Sequence, residues 1–314
     1  MPGHAAPTSN APLGAATVLV LRAADSTPGA DIEVLLVRRS HRASFMANAY
    51  VFPGGRVDAV DAVDAAGGTA ELLVAARRAA ARELSEEVGL QVGDIEQLVY
   101  FAHWITPSAE PKRFDTEFFL WPLFPPRRDP NAPPDAPLAP PPQVQIDGRE
   151  VFDPLWLSPA AALEKYHAGT LNLPPPTAST LEDLAAEITA ARQHPDAAES
   201  LLHAVIGRCA KRRPLPTLPK FFADDSGLAI VMPWDPQYPE LPGEGSPQPA
   251  LAENAAVVPR RIRRCLLKLE SAAGPAVPAA AAADSPRRPS GVGASTGAVV
   301  PWTVERAEDE PARS

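Results

Sequence analysis

Three glutamates stand close together in one short stretch of the chain, at Glu83, Glu86 and Glu87. If this stretch is helical, the spacing i, i+3 and i+4 brings all three carboxylates to one face. Two carboxylates spaced i, i+4 repel each other, and a hard cation bound between them removes that repulsion. Mg²⁺ prefers carboxylate oxygens and keeps its remaining positions for water and phosphate oxygens. By itself, the spacing fits either a magnesium site or an acidic helix face exposed to solvent.

A helix is predicted over Thr69 to Val88, the segment that carries these glutamates, because Ala, Leu, Arg and Glu dominate its composition. Gly89 follows where the C-terminal glycine of a helix is expected. Leu84 and Val88 are also spaced i, i+4 and would anchor the other side of the helix in a core.

Short apolar runs predict strands on both sides of this helix. The predicted strands cover Ala16 to Leu21, Ile32 to Val37, Leu98 to Ile105, Phe114 to Leu123 and Val151 to Trp156. A shorter run, Tyr50 to Phe52, ends in the turn signal Pro53-Gly54-Gly55. Further helices are predicted at Pro159 to His167, Thr180 to Arg192 and Leu201 to Lys211. Because strands and helices do not alternate strictly, the fold class predicted is α/β, an α/β/α sandwich with a mixed sheet and a helical C-terminal extension.

The composition is acidic and rich in proline, with a formal net charge of −9 and 39 prolines among 314 residues. An acidic chain argues against general nucleic-acid binding, which needs a basic face. The sequence contains no apolar window approaching the roughly 18 residues that span a bilayer. Residues 1–14 lack the basic start and apolar stretch of a secretion signal. We therefore expect a cytoplasmic protein that acts on a small molecule, without nucleic-acid or membrane partners.

The prolines and cysteines also bear on domain organisation. We expect a disordered N-terminus over residues 1–14, one domain over residues 15–240, and a mostly disordered Pro/Ala-rich tail over residues 241–314. A long proline-dense loop is predicted from Pro125 to Pro142. Cys209 and Cys265 could form one bridge, but they make neither a disulfide framework nor a zinc site.

The stretch from Arg82 to Leu90 reads R-E-L-S-E-E-V-G-L, and Phe52-Pro53-Gly54-Gly55 precedes it. This combination resembles the Nudix box, in which a glycine and a glutamate precede R-E-U-x-E-E-x-G-U, where U is aliphatic. Every specified position of the second half matches. The chain is identified as a member of the Nudix superfamily, which implies an α/β/α sandwich and hydrolysis of the diphosphate linkage of a nucleotide derivative.

The first half of the box departs from the family pattern. Arg82 stands 27 residues after Gly55, whereas the box has 14, so the chain carries an insertion of 13. Val74 occupies the position of the expected glutamate. The acidic residues that could compensate are Glu71, Asp58 and Asp61.

An interrupted box is typical of one branch, the peroxisomal coenzyme A diphosphatases, and the resemblance extends from about Leu35 to Tyr238. It includes Arg39-Ser40 and Leu173-Pro174-Pro175-Pro176, but the chain has Ala47-Asn48 where the branch has Pro-Gly. The branch implies cleavage of coenzyme A or acyl-CoA to 3′,5′-ADP and (acyl)-4′-phosphopantetheine. Two alternatives stay open: a diphosphatase of ADP-ribose, NADH or another nucleotide derivative, and a Nudix-fold binding or regulatory module without catalysis.

The resemblance implies a role for each matching residue. Glu83 and Glu87 are the main ligands of Mg²⁺ or Mn²⁺, and Glu86 is a further ligand with a catalytic role. Arg82 orients a glutamate through a charge-assisted hydrogen bond. Gly54 and Gly55 let the backbone approach the site closely.

Residues outside the second half of the box complete the predicted site. Glu150 is the candidate general base, and Glu117 is a weaker choice. Arg39, Arg42 and Arg113 are candidate phosphate contacts, because guanidinium groups offer forked donors that suit phosphate.

Overall fold

A computed structural model describes most of the first 245 residues and two short strands beyond them. The described residues are 11–25, 27, 29–43, 46–62, 68–124, 142–193, 200–224, 227–235, 238–240, 244–245, 263–267 and 303–306. The predicted loop from Pro125 to Pro142 lies outside these residues except for its last position.

Eight strands form one mixed sheet. They are β1 (Leu13–Ala23), β2 (Ile32–Arg39), β3 (Tyr50–Val51), β4 (Gly54–Arg56), β5 (Val99–Ile105), β6 (Phe114–Pro122), β7 (Val151–Leu157) and β8 (Pro216–Thr217). Their order is β3-β2-β1-β6-β5-β8, with β4 added to β1 and β7 added to β2. The long central pair, β1 and β6, is parallel, whereas β4 runs antiparallel to the first half of β1. The three residues of β4 are the part of the sheet that positions the site.

Helices cover both faces of this sheet. On one face lies α1 (Thr69–Val88), whose Ala76, Ala80 and Leu84 share a buried cluster with Val18 and Val20 of β1. The other face is covered by α2 (Pro159–His167), α3 (Pro175–Ala191) and α4 (Leu201–Cys209). The predicted α/β/α sandwich with a mixed sheet is therefore confirmed, and the C-terminal helices form its third layer.

The ends of the helices follow from single residues. Gly89 adopts a left-handed conformation with φ 70°, and its N–H donates to the Ser85 carbonyl at 3.1 Å. Glu71 accepts a hydrogen bond at 2.8 Å from the N–H of Gly68 and so closes the first turn of α1. Helix α3 begins at Pro175, five residues before the predicted start. Proline is tolerated in a first turn because the N–H it lacks has no partner inside the helix.

Four further strands form a second, antiparallel sheet in the order β12-β11-β10-β9. They are β9 (Lys220–Asp224), β10 (Gly227–Val231), β11 (Arg263–Leu267) and β12 (Thr303–Arg306). Strands β11 and β12 lie within the segment for which the sequence predicts a mostly disordered tail, and most of that segment lies outside the described residues. The domain division at residue 240 stays a prediction.

Two expectations, one about membrane-spanning helices and one about a disulfide, can be compared with this fold. Among the described residues, none of the helices is long and apolar enough to cross a membrane. Cys209 is a free thiol buried on α4, so the disulfide that the sequence allowed is not formed in this structure. Burial raises the pKa of the Cys209 thiol to about 12.

Candidate active site

The glycines of β4 lie directly against the last turns of α1. The N–H of Gly54 donates to Glu87 Oε2 at 2.9 Å. A Cβ atom on Gly55 would lie only 2.5 Å from both carboxylate oxygens of Glu83. Side chains are excluded from this position because the carboxylate occupies their space. Two glutamates, four residues apart on the helix, are thus held against two neighbouring glycines on the sheet.

The Glu87 carboxylate is removed from water and the Glu83 carboxylate is partly buried. Glu87 is only 6% exposed, and burial raises its pKa to about 8. The negative charges of Glu83 and Glu150 add to this rise, whereas the Gly54 N–H and the Arg39 charge oppose it. Burial also raises the pKa of Glu83, against the opposing effect of Arg82. Buried carboxylates crowded in this way favour a bound cation.

The set of atoms that could bind a metal at this site fits a hard divalent cation. Its atoms are carboxylate oxygens, which are the ligands that Mg²⁺ and Mn²⁺ prefer. Glu86 differs from the other two, because its side chain is 63% exposed and its Oε2 lies 3.6 Å from Arg82 Nη1. This position suits a ligand at the rim of the site, either direct or through water.

Arg82 connects these glutamates to the inserted segment. Its Nε and Nη2 donate to the two carboxylate oxygens of Asp61 at 3.2 and 2.8 Å, and its Nη1 donates to Glu83 Oε1 at 2.8 Å. Asp61 is buried, 4% exposed. Burial acts to raise the pKa of Asp61, but hydrogen bonds from Arg82 and from the Asp58 N–H hold it below the ordinary value. Arg82 is therefore fixed by an ionised carboxylate and in turn fixes Glu83.

Of the three acids that the sequence offered as compensation, Asp61 is the one whose carboxylate Arg82 binds through two hydrogen bonds. Asp58 Oδ2 lies 3.9 Å from Arg82 Nη2 and its side chain is half exposed. Glu71 closes the first turn of α1 instead. Compensation for the missing glutamate of the box by Asp61 stays a prediction.

The Asp61→Asn variant tests this positioning role. Loss of the charge leaves Arg82 with a weaker partner. Because Arg82 is partly exposed, solvent screens part of this effect, and we expect the free energy of unfolding to fall by about 2 kcal/mol. Because Glu83 is less well held, the Mg²⁺ concentration for half-maximal activity should rise about 10-fold. Asp58→Asn is the matched control and should change neither quantity. An unchanged Mg²⁺ requirement in Asp61→Asn would reduce its role to stability alone.

The raised pKa of Glu87 predicts a pH dependence for the metal-free protein. Folding raises this pKa from 4.5 to about 8, so the folded chain keeps a proton that the unfolded chain loses. The resulting stability is fully present below pH 4.5 and is lost as the pH rises to 8, by at most about 1.4 kcal/mol per pH unit. Urea unfolding in EDTA should therefore show wild type losing stability relative to Glu87→Gln across this range. Parallel pH profiles for the two proteins would contradict the prediction.

Two of the predicted residues outside the second half of the box act electrostatically on the glutamate pair. Glu150 is exposed at the start of β7, and its charge acts on both Glu83 and Glu87. Its backbone carbonyl accepts a hydrogen bond from the Ser40 N–H at 2.9 Å. Arg39 ends β2, and its charge acts on Glu87. Both remain candidates for the roles predicted from the sequence.

The other two arginines have different surroundings. Arg42 is exposed in the turn after β2, where its N–H donates to Ser40 Oγ at 3.2 Å. Arg113 is buried; its Nε donates to the Thr106 carbonyl at 3.0 Å and its Nη2 pairs with Glu244 at 3.1 Å. Arg113 is thus already engaged by the protein, and a phosphate contact would require it to change partners.

Sequence reasoning missed Asp147, which positions Glu150. The Asp147 carboxylate accepts hydrogen bonds from the N–H groups of Arg149, Glu150 and Val151 at 3.2, 3.0 and 3.1 Å. Its own N–H donates to the Glu87 carbonyl at 3.0 Å. The loop that carries Glu150 is therefore tied to the end of α1. The sequence signal was the Asp147-Gly148 pair, since aspartate before glycine is typical of turns in which the side chain binds the following N–H groups.

Comparison with known proteins identifies the family of this chain. A family model for the NUDIX domain matches residues 12–173, which is more than half of the chain. The chain therefore belongs to the Nudix family, and the prediction of a Nudix hydrolase is confirmed at the level of the family. The matched segment includes Gly55 of β4 and all seven specified positions of the box between Arg82 and Leu90.

Individual relatives can be described by their extent of similarity. A Caenorhabditis elegans protein described as nudix hydrolase 7 is 28% identical over 177 residues, which cover 46% of this chain and 52% of the relative. This chain thus spans about half the length of that curated relative. The crystal structure of a NUDIX hydrolase from Alicyclobacillus acidocaldarius is 25% identical, with a TM-score of 0.41, over 55% of this chain and 90% of that one. A C. elegans Ap4A hydrolase complex is 20% identical, with a TM-score of 0.35, over 56% and 98%.

Proposed function

We propose that this protein is a Mg²⁺-dependent hydrolase that cleaves the diphosphate linkage of a nucleotide derivative. The observation that carries the proposal is the pair Glu83 and Glu87. These side chains pack against Gly55 and Gly54, and their carboxylate oxygens are available as metal ligands. A solvated acidic helix face, the alternative for these glutamates, does not account for their burial.

Each residue of the site has its own part in the proposed reaction. Glu83 and Glu87 would hold Mg²⁺, with Glu86 at the rim; Mn²⁺ fits the same oxygen donors. When bound, the cation supplies neutralisation of diphosphate charge and a fixed position for the attacking water. Arg82 keeps the Glu83 carboxylate in place through its bond to Oε1.

Glu150 is our candidate for the proton acceptor. It is exposed, its charge acts on both Glu83 and Glu87, and its backbone N–H is held by the Asp147 turn. As the water oxygen bonds to phosphorus, Glu150 takes the water proton, and the bond from phosphorus to the bridging oxygen breaks. Arg39, whose charge already acts on Glu87, is positioned to contact a phosphate group that enters the site.

For the substrate, we propose coenzyme A or acyl-CoA, cleaved to 3′,5′-ADP and (acyl)-4′-phosphopantetheine. Support comes from the resemblance to the interrupted-box branch and from Asp61, which makes the insertion part of the site through its bonds to Arg82. An ADP-ribose or NADH diphosphatase uses the same carboxylates and is the second candidate. A noncatalytic module is disfavoured because Glu83, Glu86 and Glu87 are all present.

A panel of hydrolysis assays tests both the proposed reaction and the proposed substrate. The full chain would be assayed with Mg²⁺ and CoA, an acyl-CoA, ADP-ribose or NADH, and products would be separated by chromatography. Release of 3′,5′-ADP from CoA substrates is the expected result. Cleavage of ADP-ribose or NADH alone would keep the hydrolase and overturn the CoA assignment. No turnover of any of the four would count against catalysis on these substrates and favour the binding module.

A further inference from the structure

A second group of metal-ligating side chains lies on the sheet, outside the Nudix-type site. It consists of His103 on β5 with Asp115 and Glu117 on β6, and one ligand atom of each lies within 4.8 Å of the others. Strands β5 and β6 are antiparallel, with His103 directly opposite Glu117. His103 Nε2 contacts Asp115 Oδ1 and lies 3.6 Å from Glu117 Oε1.

These separations are close to those of ligands that share one ion. Zinc binds imidazole nitrogen and carboxylate oxygen at about 2.1 Å, so two tetrahedral ligands lie roughly 3.4 Å apart. The His103 to Glu117 separation of 3.6 Å is close to this value. The contact between His103 and Asp115 is shorter and needs to open, which the 41% exposure of the Asp115 side chain allows.

An unsatisfied buried atom independently points to a ligand. The Glu117 carboxylate is hydrogen-bonded by Tyr100, but its Oε2 is inaccessible to solvent and has no hydrogen-bond partner among the described residues. Leaving a buried carboxylate oxygen without a partner costs free energy that a hydrogen bond or a cation would recover. A protonated His103 supplies only one positive charge beside the two carboxylates, so a negative charge remains in the cluster.

The cluster is separate from the glutamates of α1. Glu117 pairs with Ala16 of β1, and Ala16 pairs on its other side with Gly55. Two strand spacings, about 10 Å, therefore separate the backbones of Glu117 and Gly55. The two sets share no ligand, so each would hold its own cation.

We propose that His103, Asp115 and Glu117 form a second cation site that takes a divalent transition metal, Zn²⁺ in preference to Mg²⁺. Mg²⁺ favours sites made only of oxygen ligands, whereas an imidazole ligand favours zinc and its neighbours in the transition series. With three protein ligands the site leaves a fourth tetrahedral position for water or another donor. The competing account is an ion triad in which His103 is the only cation.

Zinc binding to the full chain tests the proposal without relying on catalysis. The background would be the Glu83→Gln/Glu87→Gln variant, which removes the ligands of the Nudix-type site, stripped with EDTA and kept in excess Mg²⁺. Calorimetric titration with Zn²⁺ should show one site in this background. Adding His103→Asn should weaken Zn²⁺ binding at that site at least 100-fold. In a parallel titration with Co²⁺, the background should show the visible absorption of a tetrahedral site with a nitrogen ligand, and the His103→Asn variant should not.

His203→Asn is the matched control, because His203 is an exposed histidine that bonds Ser200 and stacks on Phe124. This change should leave the zinc affinity within 2-fold. Asp115→Asn, at a more exposed position, provides a second test if His103→Asn lowers the amount of folded protein seen by circular dichroism. The proposal is overturned if the background binds no Zn²⁺, or if folded His103→Asn or Asp115→Asn binds it as tightly as the background does.

Discussion

Replacing Glu87 with glutamine is expected to lower Mg²⁺-dependent diphosphate hydrolysis about 10³-fold while the protein stays folded. Because the pKa of Glu87 is about 8 without metal, its side chain is largely protonated at neutral pH, and an amide has nearly the same shape. The amide oxygen can still accept the Gly54 N–H bond that Glu87 Oε2 accepts. It cannot supply an anionic ligand. Steady-state kinetics across a Mg²⁺ titration, with thermal unfolding alongside, measure both effects.

Glu71→Gln provides the control from the same helix. Glu71 closes the first turn of α1, so this variant should lose less than about 1 kcal/mol of stability and keep its activity. If Glu87→Gln kept its turnover within 10-fold of wild type, the assignment of Glu87 as a metal ligand would be wrong. If both variants lost activity equally, helix integrity rather than ligation would explain the loss.

The second large effect is expected from Gly54→Ala, which should lower the free energy of unfolding by roughly 3 kcal/mol. Gly54 has φ 154°, a conformation that side chains disfavour, and a Cβ would lie 2.6 Å from Thr17 Cα. That neighbour is backbone of the central strand β1 and cannot move without disturbing the sheet. In Gly55→Ala the atoms nearest to the added methyl group belong to the end of the Glu83 side chain, which can move away at a cost of about 1 kcal/mol.

The pair of variants should therefore separate stability from catalysis. Gly55→Ala should stay near wild-type stability but lose about 100-fold in activity, because Glu83 leaves its position. Chemical denaturation and Mg²⁺-dependent kinetics on the same preparations make the comparison. Gly93→Ala is the control, since nothing lies within 4 Å of the added methyl group. Full activity in folded Gly55→Ala would contradict the proposed contact between Gly55 and a catalytic Glu83.

Local patterns were enough to predict the helix and its three glutamates. Helix α1 runs over the predicted residues, Thr69–Val88, and ends at Gly89. Its composition, the spacing of its apolar residues and its terminal glycine all favour a helix, so tertiary contacts did not have to override a local preference. The long strands were found for the same reason, with ends that differ by a few residues.

The parts that the sequence did not predict depend on neighbours far apart in the chain. Strand β4 has only three residues and no apolar period; it forms because β1 offers an open edge for Gly54–Arg56. His103 and Glu117 are 14 positions apart and meet only because β5 and β6 pair in one register. Asp61 could be named as a candidate from charge alone, but its selection over Asp58 and Glu71 required knowing which carboxylate Arg82 reaches.

The bond between Asp61 and Arg82 has a consequence for how such a chain can vary in length. The acid is bound to Arg82 of α1, so the number of residues between Asp61 and Thr69 can change without moving it. Closing a loop of twice the length costs only about 0.6 kcal/mol more. Insertions or deletions there should be cheap, whereas changes between Gly55 and Asp61 would pull the acid away from its arginine. Related chains that carry this aspartate should therefore differ in length after it and keep the number of residues between it and the glycine.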